Sequence, residues 1–302
     1  MDEFIWTRKY APQSIDDLIL SDENKETFNS NFNLKESSNL LFIGKAGVGK
    51  TTLAKLLSAN YDYIYINASD SSGIDTIRNE VTDFIKTSSI LGDIKVVILD
   101  EADGLSSVGG GGTSAQQALR NMMEENLDSC RFILTANYEH KIIEPLRSRC
   151  QTFRFNLTTK ECAAQIVKIA KAEGISVDKE GLLNLLKTYA PDLRKCINEF
   201  QKGSKNGKFV FPVVKYLDIS GKIKKCLEGK VSVFDIRESI IKDEDSFESN
   251  YLKLIRGLFD LYCVDRNVKA VESCCYHMEK DAIVMDKEVN FTSLLLSLSK
   301  LY

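Results

Sequence analysis

Eight residues, GKAGVGKT at 44–51, sit between the apolar run NLLFI (39–43) and the segment TLAKLLSAN, whose Leu53, Leu56 and Leu57 repeat at helical spacing. The string fits G-x-x-x-x-G-K-[ST], and a strand before it with a helix after it is the context that motif requires. Glycines let successive backbone N–H groups turn toward one centre, and the following helix adds its positive N-terminal end. Gly44, Lys45, Ala46, Gly47, Val48, Gly49, Lys50, Thr51 and Thr52 are therefore the expected cradle for a nucleoside triphosphate. In it, Lys50 reaches the β- and γ-phosphates and Thr51 offers its hydroxyl to Mg²⁺. A chain built around such a loop must carry a sheet with its strand ends open to a ligand.

The rest of the first half supplies that sheet. YIYIN (63–67), KVVILD (95–100), RFILTAN (131–137) and the weaker TFRF (152–155) read as further strands. Helical stretches lie between them at about 74–88 and 114–126. KVVILD is apolar without alternation, as a strand covered on both faces should be. Strands alternating with helices predict an α/β fold with a parallel sheet. From 158 to 202 the pattern changes to short amphipathic helices, and from about 221 to 302 it is helical again. QKGSKNGKF (201–209) reads as a hinge or linker, and VGGGG (108–112) as a flexible loop.

VVILDEAD adds what a cradle alone lacks. An acidic pair closing a buried apolar strand is costly unless it has a partner. Asp100 is expected to order Mg²⁺ together with Thr51, and Glu101 to polarise the attacking water. The competing reading of Asp100 is a helix N-cap at a strand's end. No N-K-x-D string occurs to read guanine, so ATP is the expected nucleotide. Eight cysteines contain no C-x-x-C pair and only two histidines accompany them, which argues against a structural zinc site. A formal charge of −3, from 40 basic and 43 acidic residues, excludes a broadly basic nucleic-acid binder.

Six strings in order carry a resemblance that extends from about Trp6 to Phe200. WTRKYAPQSIDDLI, NASDSSGIDTIR, SAQQALRNMMEE, LTANY, LRSRC and PDLRKCIN together resemble the AAA+ ATPase subunits of DNA sliding-clamp loaders. Those relatives include the small subunits of replication factor C, and the short chain with its weakly matching last third looks more like the ATPase subunit of T-even-type phage loaders. The resemblance implies an AAA+ domain over 1–156, a small helical lid over 157–220 and a helical collar over 221–302. It implies that Lys9, Tyr10 and Pro12 contact adenine and that Asn137 positions water near the γ-phosphate. It further implies that Arg194 senses nucleotide from the lid and that Arg149, in Ser-Arg-Cys, is an arginine finger offered to a neighbour's ATP.

By the same resemblance, Arg78 and Arg120 are candidates for contacts to the DNA backbone. The implied partners are a sliding clamp, primer-template DNA held without sequence preference, and other loader subunits in a hetero-pentameric ring with several copies of this chain. Two departures stand out. Relatives carry a basic residue just before the Gly-Ile-Asp string where this chain has Ser72, and GLSSVGGGGTS lengthens the connection to the central helix. Two other readings stay open at this point: a non-hydrolysing subunit of the same assembly, and a different AAA+ DNA-remodelling ATPase. No run approaches the roughly 20 apolar residues of a membrane span, and MDEFIWTRKY lacks the order of a signal peptide. A cytoplasmic protein is expected, in a bacterial host for a phage source, or a nuclear one for a eukaryotic source.

Overall fold

The computed structural model describes residues 4–28, 32–69, 74–89, 94–106, 112–211, 232, 251–264, 266–281 and 283–301. It divides into two units, Met1–Phe211 and Pro212–Tyr302. Ser72, residues 107–111 of the glycine-rich loop, and most of the stretch from 212 to 250 lie outside the described residues.

The first unit is organised by five parallel strands: β1 Asn39–Gly44, β2 Asp62–Asn67, β3 Lys95–Asp100, β4 Cys130–Ala136 and β5 Cys150–Phe155. Their order is β2-β3-β4-β1-β5, and every pairing is parallel. Alternate strand residues face opposite ways, and both faces are covered. Leu41, Ile43, Val97, Leu99, Phe132 and Leu134 pack with Ile77 and Val81 of α4 (Ile74–Lys86) and Leu119, Met122 and Met123 of α5 (Gly112–Glu125). Leu40, Phe42, Val96, Ile98 and Ile133 face the other way, onto Leu53 and Leu57 of α3 (Lys50–Ser58) and a cluster of Phe28, Phe153 and Phe155. The short helices α1 Trp6–Lys9 and α2 Asp22–Thr27 precede the sheet, and α6 Glu144–Arg147 leads into β5.

Registry aligns the functional ends. Asn67 lies opposite Asp100, and Ile43 is flanked by Ala136 and Arg154. The C-terminal ends of β1, β2, β3 and β4 thus share one edge of the sheet, where ligands of open α/β sheets bind.

After β5 come α7 Thr159–Ala172, α8 Lys179–Tyr189 and α9 Leu193–Gly203. Each begins at a side-chain cap: Thr158 with Glu161 as a capping box, then Asp178, then Asp192. The N-terminal segment docks on the last of these helices, with Trp6 5.5 Å from Phe200 and its backbone N–H donating to Gln201 Oε1 at 3.0 Å.

The hinge expected at 201–209 is a correction. α9 runs through Gly203, and Ser204–Lys205 (β7) turns back through Asn206 and Gly207 onto Lys208–Phe209 (β8). Both turn residues have positive φ, 52° and 73°, the conformation that favours Asn-Gly in tight hairpins. β8 also pairs with β6 (Ser176–Val177), and Phe209 is buried against Phe200 at 4.7 Å. The polar composition that suggested a linker belongs to an ordered hairpin.

In the second unit the described residues form three helices: α10 Tyr251–Val264, α11 Val268–Asp281 and α12 Lys287–Ser299. Leu254, Ile255, Leu258 and Tyr262 meet Ala270 and Cys274, and Phe291, Leu294, Leu295 and Leu298, in a separate core. Among the described residues no helix is long and apolar enough to cross a membrane. The architecture is an α/β fold with a parallel sheet and C-terminal helices.

Candidate nucleotide-binding and hydrolysis site

β1 delivers the cradle from the middle of the sheet. A Cβ on Gly44 would lie 2.4 Å from the Phe155 carbonyl oxygen, so only glycine lets β5 run this close. Gly47 and Gly49 have φ of +73° and +97°, in the left-handed region that side chains resist. Gly47 also abuts the start of α9, where a Cβ would fall 1.9 Å from Asp192 Oδ1. The Lys50 ammonium is buried and donates to Gly44 O at 2.6 Å, Lys45 O at 2.8 Å and Asn137 Oδ1 at 3.0 Å. Burial pulls its pKa down, opposed by the charges of Asp100, Asp103 and Glu101. This ammonium is held by loop carbonyls in the place where a β,γ-phosphate would meet it.

Asp100 ends β3 with its carboxylate enclosed by hydroxyls. Thr51 donates into it, 2.8 and 3.0 Å from its two oxygens. Thr135 of β4 donates to Oδ1 at 2.5 Å, and Tyr65 of β2 donates to Oδ2 at 2.7 Å. Desolvation, reinforced by Asp100, raises the Tyr65 pKa and keeps the phenol a donor. Thr135 also accepts from the Glu101 backbone N–H at 3.1 Å. Thr51 and Asp100 form a hard-oxygen donor pair of the kind Mg²⁺ takes.

Glu101 sits at φ 55°, an uncommon conformation for a non-glycine residue. Its carboxylate is exposed on the ligand edge and accepts a hydrogen bond from the Ser69 hydroxyl at 2.7 Å. Asp103, one turn on, accepts from the backbone N–H groups of Asn137 at 3.2 Å and Tyr138 at 3.3 Å. This contact sets the end of β4 against the Asp100–Glu101 corner. Lys50, Thr51, Asp100, Glu101 and Asn137 are thus brought together.

Beside the cradle lies a pocket of about 170 Å³ lined by Tyr10, Pro12, Ile19, Gly47, Thr52 and Arg194, among others. It lies between the N-terminal segment, the phosphate loop and the helices α7 and α9. Tyr10 and Pro12 line it, but the Lys9 ammonium turns to Glu173 at 2.6 Å. The Tyr10 hydroxyl donates to the same Glu173 oxygen at 2.5 Å, which ties the segment to the end of α7.

The remaining arginines lie elsewhere. Register puts Cys150 opposite Asn39 and Phe155 opposite Gly44. Arg149 is therefore at the far edge of the sheet from its own cradle, about 17 Å away at roughly 3.3 Å per strand residue. Its Nε donates to Glu124 Oε1 at 2.6 Å and its Nη1 to Pro145 O at 2.7 Å. Glu124 also pairs with Arg120 at 3.4 Å, and the two guanidinium groups, Arg149 first, hold its carboxyl below the usual range. Arg78 is exposed on α4.

Sequence reasoning missed Tyr65, Thr135, Ser69, Asp103, Glu124 and Glu173. Asp103 was in view as the last residue of DEAD. Strand register and helix packing bring Tyr65, Thr135 and Ser69 to the acidic strand end, Glu173 to the N-terminal segment and Glu124 to Arg149.

A family model described as "ATPase family associated with various cellular activities (AAA)" matches residues 40–157. The chain is 39% identical over 221 residues to the replication factor C small subunit of Methanococcus vannielii, covering 70% of this chain and 68% of that one. With the small subunit of Thermofilum pendens it shares 38% identity over 263 residues, 84% of this chain and 75% of the relative. With that of Methanocella arvoryzae it shares 36% over 242 residues, 77% and 73%. The matched span takes in the cradle, the acidic strand end and the arginine at the far sheet edge. The chain belongs to the replication factor C small-subunit family of AAA+ ATPases, the ATPase subunits that load clamps in DNA replication.

Proposed function

We propose that this chain hydrolyses ATP only at the junction of two subunits, and that the ring so formed opens a sliding clamp and places it on primer-template DNA. The observation that carries the reading is the separation of Arg149 from Lys50, Thr51, Asp100 and Glu101 by the length of the sheet. An arginine finger works by meeting charge on the transferring phosphoryl group. Arg149 is too far from its own cradle for that, and its exposed edge suits a neighbour's.

In this reading the loop N–H groups and Lys50 bind the β- and γ-phosphates. Thr51 and Asp100 hold Mg²⁺, which supplies charge neutralisation at the phosphates when bound. Glu101 takes the proton of the attacking water, and Asn137, held through Asp103, orients that water. Tyr10 and Pro12 wall the base pocket and Arg194 meets the phosphates from α9. Release of Arg149 from Glu124 accompanies its engagement with the neighbour. Arg78 and Arg120 track the DNA backbone, which positions the duplex without reading its sequence.

The finer assignments belong to the same proposal. They are a lid over 157–220, a collar over 221–302, a hetero-pentameric ring with several copies of this chain, and a place beside the T-even-type phage loaders. So is the compartment, the cytoplasm of a bacterial host or a nucleus. The direct test is ATPase activity of the assembled complex with and without clamp and primed DNA. The reading expects a marked rise that needs both. A rate indifferent to the clamp would instead favour a different AAA+ DNA-remodelling ATPase.

A further inference from the structure

The Asp100 carboxylate is met by three hydroxyls, those of Thr51, Thr135 and Tyr65. Thr51 belongs to the phosphate loop, and Thr135 is placed by the neighbouring strand β4. Tyr65 reaches in from β2, the edge strand of the sheet, and is 39% exposed. Its ring lies against α3, with the Lys55 ammonium 4.3 Å from the ring centroid. With the ring placed between Lys55 and the sheet edge, its hydroxyl reaches Asp100 Oδ2, 2.7 Å away.

We propose that Tyr65 is a positioning residue for the magnesium site, fixing the plane of the Asp100 carboxylate from the side opposite Thr135. The inference rests on the reading of Thr51 and Asp100 as the metal-holding pair. A carboxylate is free to rotate about its last bond unless both oxygens are tied. Thr135 ties Oδ1 and Tyr65 ties Oδ2, which holds the carboxylate plane while Thr51 meets it from the phosphate loop. Partners in this outer position orient ligands, and losing one typically costs 10- to 100-fold in metal affinity. Neutral donors suit the task better than a cation here. They hold the carboxylate without cancelling the charge that attracts Mg²⁺.

Tyr65→Phe removes the hydroxyl and keeps the ring over which Lys55 sits. In the full-length chain, binding of a fluorescent ATP analogue is measured in EDTA and across a Mg²⁺ titration. ATPase of the assembled complex is followed over the same Mg²⁺ range. The expected result is unchanged affinity in EDTA and a half-saturating Mg²⁺ concentration raised roughly 10-fold, with kcat at saturating Mg²⁺ falling far less. An unaltered Mg²⁺ requirement would overturn the inference. So would an equal loss of affinity with and without the metal, since that is the mark of disturbed packing. Asp100→Asn separates the two levels of the argument. If it leaves the Mg²⁺ requirement unmoved, the reading of the site itself fails. If it raises the requirement while Tyr65→Phe does not, only the role of Tyr65 is lost.

Discussion

At the scale of single residues, Lys50 and Glu101 carry different burdens. Lys50 is buried, with its ammonium gathered by the loop that holds the phosphates. Glu101 is exposed, with its carboxylate resting on Ser69, outside that loop. Lys50→Ala should therefore abolish nucleotide binding, whereas Glu101→Gln should bind ATP and fail to hydrolyse it. Titration with a fluorescent ATP analogue, alongside a single-turnover assay, separates them. Equal loss of binding in both variants would remove Glu101 from the role of base. Lys50, Thr51, Asp100 and Glu101 were legible in the sequence because each sits in a short string whose local context explains it, whereas Asn137 came only with the family resemblance of LTANY. Tyr65 and Thr135 were not, because their nearness to Asp100 comes from register. Asn67 pairs with Asp100 across β2 and β3, and Leu99 with Leu134 across β3 and β4. Those offsets put Tyr65 and Thr135 beside one carboxylate, and no spacing along the chain contains them.

Among elements, β1, β3 and β4 were readable as apolar runs shielded on both faces, a pattern with few alternative homes, and the edge strand β2 by its β-branched and aromatic residues. The segment at 201–209 was misread for the converse reason. Gly, Lys and Ser suggest a linker by composition, yet Asn206-Gly207 is a turn signal with a definite backbone demand. That demand yields a clean prediction. Gly207 has φ +73° and open space where a Cβ would stand, so Gly207→Ala meets only the left-handed backbone penalty, about 1 kcal/mol. Chemical denaturation should report a loss of that size. No loss would mean the hairpin does not hold its turn in solution. The N-terminal segment shows a second limit. Its family string led to Lys9, Tyr10 and Pro12 as base contacts, but Glu173 on the end of α7 claims the Lys9 ammonium and the Tyr10 hydroxyl. Residues more than 160 positions apart in the chain meet there, beyond the reach of any local pattern.

For the whole molecule, the central claim is that a complete catalytic centre needs two chains. One chain presents Lys50 and Glu101 at one sheet edge, and the other presents Arg149 from the opposite edge. A net charge of −3 fits the same picture, since the backbone contacts proposed for Arg78 and Arg120 would add up only if several copies followed the duplex. The most direct measurement mixes two defective preparations before assembly. Lys50→Ala and Arg149→Ala should each be nearly inactive alone, given the roughly 10³- to 10⁵-fold effect of arginine fingers. Co-assembled, the Arg149→Ala chain contributes an intact cradle and its Lys50→Ala neighbour contributes the arginine, so part of the ATPase activity should return. Co-assembly verified by pull-down with no recovery of activity would contradict the account, because an arginine acting within its own chain cannot be rescued by a partner.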